Sequence, residues 1–413
     1  MLRSAFGVPR QLFDTKCKVS ATIRIVAKVP PQTRNKKESE RIPLLDLERQ
    51  HAPLRAEMLD AIARVCSSNQ FILGKETEAL EQELGAFLGD VEVVGCASGT
   101  DALWLALLAA GVQPGDTVIT TPFSFFASAS AIVRARAKPI FADINPGTLN
   151  IDPVDVGARA KSAPSLRAIL PVHLYGQCAD MGRMKEIANH FKLAIVEDAA
   201  QAIGAAWRGA PAGTIGTTGA FSFYPTKNLS AFGDAGCAVG PKRAAETMRS
   251  LRNHGSVRRY YHEEIGWNCR MDAIQAAVLR VKLKHLEEWT KARRERAAAY
   301  DRLFEKSGLL GKNHRVQLLE TRREAHHVFH QYVIRAQRRD QLREFLAQKN
   351  IGTEVYYPLP LHLQECLAYL GYREGDFSEA EAAAREVLAL PMFAELTDAE
   401  QRAVVSAIAD FYS

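Results

Sequence analysis

The sequence of 413 residues lacks any apolar run near the roughly 20 residues that a helix needs to cross a bilayer, so we do not expect an integral membrane protein. It is also poor in the residues of fibrous or low-complexity chains, with 18 Pro and 27 Gly. The hydrophobic fraction of 47% and the charged fraction of 24% are ordinary for a globular protein. A chain of this length can bury a sizeable core without disulfides or structural metals.

Cysteine is scarce, with seven residues and no CxxC pair. A disulfide framework would need an even number and a zinc ribbon would need close pairs, so neither is predicted. This usage favours a reducing cytoplasm. Three histidines have metal-like spacing, but no carboxylate or cysteine motif accompanies them, so no metal site is predicted at His326, His327 and His330.

The net charge of +6 is confined to the first forty residues. That segment holds nine basic residues and three acidic ones (9 − 3 = 6), so the rest of the chain is neutral and offers no electrostatic support for nucleic-acid binding. Residues 1–40 also show no helical period. We expect a disordered basic extension, with a short ordered arm or a targeting segment as the alternatives.

From residue 41 onward, short apolar runs alternate with helical patterns, which is typical of βαβ units around a parallel sheet. The predicted strands are Val91–Cys96, Thr117–Thr120, Lys138–Ala142, Ala168–Pro171, Leu193–Val196, Ala220–Phe223 and Gly236–Val239. We therefore predict an α/β domain over residues 41–285, with a mostly parallel sheet covered on both faces.

The sequence pattern changes after residue 272. The stretch Ala273–Ala299 has no Gly or Pro and predicts one long helix. A strand at Val328–Arg335 and helices at Arg339–Gln348, Glu379–Leu388 and Asp398–Phe411 follow. These predict a smaller α+β domain over residues 286–413.

Ligands of doubly wound sheets bind beyond the carboxyl ends of the strands, and several polar motifs fall there. The stretch Ala97–Asp101 opens a predicted helix, where free backbone N–H groups can bind a phosphate. A plain helix cap by Ser98 or Thr100 is the alternative. In Thr121–Phe126, three aromatic side chains follow a strand, and we expect two in the core and one stacked on a cofactor ring.

Asp198 ends an apolar strand, where a buried carboxylate needs a cationic partner. The pyridinium nitrogen of pyridoxal phosphate is one such partner, and a helix cap is the alternative interpretation. Lys227 follows another strand in an apolar, glycine-flanked loop, which lowers a lysine pKa as covalent catalysis requires. The alternative is a solvated lysine. Ser222, five residues earlier, could add a phosphate contact.

The order of these motifs resembles a fold-type I pyridoxal-phosphate enzyme. The strings SGTDALWLAL, TPFSFFAS, VEDAAQAIGA, SFYPTKNLSAFGDAG and WNCRMDAIQAAVL resemble the DegT/DnrJ/EryC1/StrS family of sugar aminotransferases. The resemblance runs from Ile42 to the C-terminus. It implies a sheet of the seven-stranded type in the large domain and pyridoxal 5'-phosphate as cofactor.

The resemblance also implies roles for single residues. Lys227 would bond to the cofactor and move the reacting proton, while Asp198 would pair with the ring nitrogen. The remaining implied cofactor contacts are Phe125 (ring stacking), Gln201 (ring hydroxyl), and Gly99, Thr100 and Ser222 (phosphate). Asn268 would reach the phosphate of a neighbouring subunit, which implies a homodimer with shared active sites.

The implied reaction moves an amino group from glutamate, releasing 2-oxoglutarate, to a keto carbon of a nucleotide-linked sugar for amino-sugar or polysaccharide biosynthesis. Dehydratase-like members carry histidine in place of the lysine, so Lys227 favours a transaminase. The resemblance favours a 3-keto over a 4-keto sugar, with Arg259, Tyr260 and His362 as substrate contacts. For the basic cluster at residues 258–262, which includes Arg259 and Tyr260, the alternative is a solvated stretch of the surface. The alternative function is a regulatory or sensor homologue that binds the cofactor without turnover.

Overall fold

The computed structural model describes residues 41–311 and 315–413, so the prediction for residues 1–40 lies outside its described part. Its helices are α1 (Leu47–His51), α2 (Arg55–Ser68), α3 (Lys75–Phe87), α4 (Gly99–Ala109), α5 (Ala127–Arg134), α6 (Pro153–Ser162), α7 (Met181–Phe191), α8 (Lys242–Leu251), α9 (Ala273–Leu283), α10 (Leu286–Ser307), α11 (Arg339–Gln348), α12 (Ser378–Glu386) and α13 (Asp398–Tyr412). In the described ranges, no helix is both long and apolar enough to cross a membrane.

Seven strands form the main sheet in the order β1-β9-β8-β5-β4-β2-β3. They are β1 (Glu92–Cys96), β2 (Thr117–Thr120), β3 (Lys138–Phe141), β4 (Leu166–Ile169), β5 (Ala194–Asp198), β8 (Thr218–Ser222) and β9 (Gly236–Gly240). The pairings from β8 to β3 are parallel, and only β9 runs against its two neighbours. The predicted α/β fold with a mostly parallel sheet is confirmed.

Both faces of this sheet are buried against helices. Neighbouring residues of a strand point to opposite faces, so they pack in different clusters. Val118 of β2 packs in the cluster that includes the apolar residues of α4 and α5. Its neighbour Ile119 packs in the second cluster, with residues of α6 and α7. Strands buried on both faces read as continuous apolar runs, which is why the sequence predicts them well.

Two smaller sheets complete the strand set. One is antiparallel, in the order β10-β12-β13, and consists of Val316–Leu318, Tyr332–Ala336 and Val387–Leu390. The other joins β11 (Ala325–His326) to the hairpin of β6 (Ala206–Trp207) and β7 (Ala210–Pro211). The division into domains at residue 285 stays a prediction.

Two predicted helices and one predicted strand differ from the structure: the strand predicted over Val328–Arg335 begins only at Tyr332 and ends at Ala336. The helix predicted over Ala273–Ala299 is broken at Lys284 and His285 into α9 and α10, and α10 continues to Ser307. No glycine or proline marks this break; α9 packs on α2 and α3 whereas α10 packs on α13, so the two partners set different axes. The helix predicted over Glu379–Leu388 ends at Glu386, because Val387–Leu390 pairs with β12 as an edge strand.

The end of β5 presents two acidic side chains on opposite faces. Glu197 is fully buried, and its carboxylate accepts hydrogen bonds from the backbone N–H groups of Gly213 (2.9 Å), Ile215 (2.6 Å) and Gly216 (2.5 Å). It also lies 2.8 Å from His173 Nε2. Glu197 therefore closes the turn before β8 and fixes the end of β5, which sets the position of the next residue, Asp198.

Glu197→Gln tests this arrangement without changing the side chain's shape. An amide places an NH₂ group against at least one buried donor, so we expect a loss of about 2–4 kcal/mol in the free energy of unfolding. Glu186→Gln is the control, because Glu186 forms only an exposed pair with Arg183 and should cost under about 0.5 kcal/mol. Denaturant unfolding measures both; equal losses would contradict the assigned role.

Candidate active site

Asp198 is the last residue of β5 and is almost completely buried. Its carboxylate accepts one hydrogen bond from the Ser128 hydroxyl (2.7 Å) and one from the Ala200 N–H (3.2 Å). Both donors are neutral. Burial raises the pKa of Asp198, against the opposing effects of these hydrogen bonds and of the charges of Lys227 and His173. No helix follows directly, so Asp198 is not a helix cap.

Lys227 lies in the turn between β8 and β9. Its backbone N–H donates to Tyr224 O (2.8 Å). The side chain of the next residue, Asn228, is hydrogen-bonded to a distant segment of the chain. Asn228 Nδ2 donates to Val328 O (3.3 Å), and Asn228 Oδ1 lies 3.1 Å from His330 Nδ1. Burial lowers the pKa of Lys227 to about 8, with the Asp198 charge acting in the opposite direction. An appreciable fraction of Lys227 is therefore uncharged and nucleophilic near neutral pH.

The phosphate cradle predicted from the sequence is assembled at the start of α4. A Cβ added at Gly99 would lie 2.6 Å from Ser222 Cβ and 3.1 Å from Ser222 Oγ, so the ends of β8 and α4 meet where glycine leaves room. Thr100 follows in the first turn. Ser98 also caps the helix, since its hydroxyl accepts from the Asp101 N–H (3.1 Å). The structure thus brings Gly99, Thr100 and Ser222 together at free helical N–H groups.

Gln201 is buried and fully engaged within the chain. Its Oε1 accepts from the Tyr175 N–H (2.6 Å), and its Nε2 donates to the Tyr357 hydroxyl (3.0 Å). Burial raises the pKa of Tyr357, and the charge of Asp198 acts in the same direction. Gln201 and Tyr357 therefore lie on the Asp198 side of the site.

Phe125 is exposed over 59% of its surface, and its ring centroid lies 6.2 Å from that of Tyr357. Of its aromatic neighbours, Phe123 is buried but Phe126 is 38% exposed. The expectation that two of the three would be core residues is therefore wrong for Phe126. An exposed Phe125 next to Tyr357 leaves a ring face free for stacking.

Asn268, Arg259 and Tyr260 belong to an exposed part of the chain after α8. The loop over residues 255–266 is closed at a neck, where a Cβ on Gly266 would fall 2.2 Å from the Gly255 nitrogen. Tyr260 is 79% exposed, and the Arg259 guanidinium lies 4.9 Å from the Tyr260 ring centroid. Asn268 Oδ1 accepts from Arg270 Nε (3.0 Å). None of the three contacts Lys227 or Asp198 within the described part of this subunit.

His362 is not available to a substrate as expected. It is buried, with its Nε2 3.0 Å from Glu381 Oε1 and its ring 4.7 Å from that of Phe377. The prediction of a substrate contact is wrong for this reason: His362 lies in a short 3₁₀ turn, Leu361–Leu363, and its side chain packs into the core.

Sequence reasoning missed Ser128 and Tyr357. Ser128 lies in α5, seventy positions before its partner Asp198, and serine in a helix carries no signal for such a contact. Tyr357 falls within a stretch that already resembled the family, but nothing in its neighbours predicts that its hydroxyl meets Gln201. Both contacts depend on how distant segments pack.

Comparison with known proteins decides the family. The model of the DegT/DnrJ/EryC1/StrS aminotransferase family matches residues 53–409. The chain belongs to this family. It is 49% identical over 375 residues (90% of this chain, 98% of the relative) to the "Pleiotropic regulatory protein" of Geobacillus stearothermophilus.

A second relative of this chain is named as a transaminase. The chain is 42% identical over 375 residues (91% of this chain, 97% of the relative) to the dTDP-3-amino-3,4,6-trideoxy-alpha-D-glucose transaminase of Streptomyces venezuelae. The crystal structure of S. venezuelae DesV superposes with a TM-score of 0.85 at 41% identity, covering 90% of this chain and 98% of that one. This family member is a sugar aminotransferase.

Its cofactor is pyridoxal 5'-phosphate, as in the aminotransferases of the family. The described residues fit the group at both ends. A Cβ at position 99 would clash with Ser222, so glycine lets Ser222 approach the start of α4; among the described residues, the buried carboxylate of Asp198 accepts hydrogen bonds from neutral donors alone. When bound, the cofactor supplies an electron sink next to the reacting carbon, and the protonated ring nitrogen makes it effective.

Gly99→Ala tests the cradle. The added methyl group must displace Ser222, so we expect the dissociation constant of pyridoxal phosphate to rise about tenfold or more. Gly157→Ala in α6 is the matched control, because its added Cβ meets only Ile187 Cδ1 at 3.9 Å. Fluorescence titration of the cofactor-free variants measures both; unchanged affinity in a folded Gly99→Ala would exclude the cradle.

Proposed function

We propose that the enzyme transfers the amino group of glutamate, through its cofactor, to carbon 3 of a nucleotide-linked 3-keto sugar. The observation that carries the transaminase chemistry is the convergence of Lys227, whose pKa is lowered to about 8, and the buried Asp198 at the same edge of the sheet. One titrates near neutral pH and the other requires a cation, as general acid–base chemistry on a pyridinium ring demands.

The proposed roles are divided among these residues. Lys227 holds the cofactor between turnovers and moves the proton at the reacting carbon, because an amine that titrates near pH 8 can both accept and return it. Asp198 holds the ring nitrogen in its protonated state, and the Ser128 hydroxyl fixes that carboxylate. Phe125 stacks on one face of the ring, while Gly99, Thr100 and Ser222 bind the phosphate.

The sugar substrate is supported from two directions. The S. venezuelae relative is named for a dTDP sugar that carries its amino group at carbon 3. The exposed loop presents Arg258 and Arg259, each stacked on a tyrosine ring at 4.5 and 4.9 Å. Guanidinium groups match a diphosphate or carboxylate, so we assign this loop to substrate binding, with Arg259 and Tyr260 as contacts.

The same surface supports the proposal of a homodimer with shared sites. The loop and its exit expose large apolar side chains, with Val257 at 74%, Ile265 at 86% and Trp267 at 55%. Such a patch is typical of a protein interface. Asn268 directly follows Trp267 of this patch, so a second copy that covers the patch would also meet Asn268. We therefore assign Asn268 to the phosphate site of a second copy of this chain.

The regulatory alternative has one observation in its favour, the name of the Geobacillus relative. A sensor without turnover does not need the lysine, yet Lys227 is present with a lowered pKa and Asp198 is held by Ser128. These features support turnover. The six cysteines in the described ranges are all free thiols, which supports the expected cytoplasmic setting.

A half-reaction assay tests the proposal. Glutamate should bleach the absorbance band of the lysine-bound cofactor, and a 3-keto dTDP- or UDP-sugar should restore it. Restoration by 4-keto sugars alone would contradict the assigned carbon. Failure of glutamate to bleach the band, while another amino acid does so, would contradict the donor. Lys227→Ala should lack the band altogether.

The lowered pKa of Lys227 predicts how cofactor capture depends on pH. Only the uncharged amine attacks the cofactor's aldehyde, so the capture rate by cofactor-free protein should rise about tenfold per pH unit below pH 8 and level off above it. Stopped-flow absorbance measures this, with Nα-acetyl-lysine as the reference. A rate that still rises beyond pH 9.5, as for the reference, would contradict the assigned environment.

A further inference from the structure

A second lysine, Lys282, is buried against Ser230, in the segment that follows Lys227. It lies near the end of α9 with no exposed surface. Its Nζ is 2.8 Å from Ser230 O, 3.0 Å from Ser230 Oγ and 2.7 Å from His51 Nε2. In the described ranges, no carboxylate forms an ion pair with it. Burial lowers the pKa of Lys282 to about 7, and its nitrogen can donate to Ser230 whether or not it is charged.

These contacts fasten the segment that follows Lys227. Ser230 is three residues beyond Lys227, and the Lys282 nitrogen also lies 4.9 Å from the Phe232 ring centroid. One face of α9 supplies a second attachment, because Gln275 precedes Lys282 by two helical turns. Gln275 Oε1 accepts from the Phe232 N–H (2.8 Å).

The segment is thus held at both ends. Asn228 fastens its beginning to Val328 and His330, and α9 fastens Ser230 and Phe232. Lys227 lies just before this held stretch, so its backbone direction depends on both attachments. An apolar side chain at position 282 would fill space but would leave Ser230 O without this donor.

We propose that Lys282 is a positioning residue for Lys227: its amino group fixes Ser230 against α9 and so sets the direction from which Lys227 meets the cofactor. The inference rests on the proposed role of Lys227. His51, from α1, shares the amino group, and burial together with the Lys282 charge lowers the pKa of His51 to about 4, which keeps its Nε2 an acceptor.

The test compares Lys282→Met with Lys284→Met. Lys284 is next to the end of the same helix but exposed, and it pairs with Glu57 at the surface. For Lys282→Met we expect kcat to fall about 10- to 100-fold with KM changed less than twofold, since a misplaced catalytic group slows the reaction more than binding. Lys284→Met should retain both values.

Two readouts separate positioning from general destabilisation. Because the charge of Asp198 acts on Lys227, a displaced Lys227 should shift the pKa of its cofactor-bound nitrogen, which absorbance against pH follows. In cofactor-free protein, amide hydrogen exchange over residues 228–232 should become faster without a lower melting temperature. Wild-type kcat, nitrogen pKa and exchange in a folded Lys282→Met would overturn the proposal, as would the same changes in Lys284→Met.

Ser230→Ala removes the hydroxyl acceptor and nothing larger, so it decides the question if Lys282→Met does not fold. It should lower kcat in the same direction, and an unchanged kcat would overturn the proposal; where Lys282→Met folds, the double variant should be non-additive. Additive effects would overturn the proposal. Lys227→Ala separates this result from the proposed function: if the cofactor band of the wild type does not depend on Lys227, that function fails whatever Lys282 does.

Discussion

The structure is organised around one constraint, a carboxylate buried at the carboxyl end of a parallel strand. Among the described residues, two neutral groups donate hydrogen bonds to the Asp198 carboxylate, and burial raises its pKa. A carboxylate in such a place is stable as an anion only beside a cation, and a protonated ring nitrogen meets that need. Gly99, Ser222 and the turn of Lys227 lie at the same edge of the sheet, and we propose that they bind the phosphate and the aldehyde of the same cofactor.

The neighbouring residues of β5 show how one strand separates stability from function. Glu197 points to the opposite face and is satisfied by three backbone N–H groups and His173. It has no capacity left for a ligand. Asp198, the next residue of β5, has fewer hydrogen-bond partners, namely the Ser128 hydroxyl and the Ala200 N–H. The two lysines with lowered pKa differ in a similar way: Lys227 interacts with the charge of Asp198 and is proposed for the chemistry, whereas Lys282 contacts three acceptors and is proposed to hold the loop.

Local signals are enough to predict the sheet, and they also indicate the residues that we propose for the cofactor site. The parallel strands are continuous apolar runs, and the glycine, hydroxyl or charged residues that follow them indicate Gly99, Asp198, Ser222 and Lys227. The errors arise where packing overrides local preference: the break after Leu283 has no breaker residue, and Val387–Leu390 leaves a helical pattern to pair with β12. The prediction for His362 was wrong and Ser128 was missed for a related reason. The burial of His362 and the contact of Ser128 with Asp198 both depend on segments that are distant in the sequence.

The central claim is that nitrogen moves from glutamate to carbon 3 of a nucleotide-linked sugar. Incubation of the enzyme with ¹⁵N-glutamate and a 3-keto nucleotide sugar, followed by mass spectrometry and ¹⁵N–¹H correlation of the product, measures this directly. The account predicts a product with ¹⁵N bound to carbon 3, formed together with 2-oxoglutarate, and none with Lys227→Ala. Label at carbon 4 of a 4-keto sugar and none at carbon 3, or no transfer by enzyme that carries its cofactor, would contradict it.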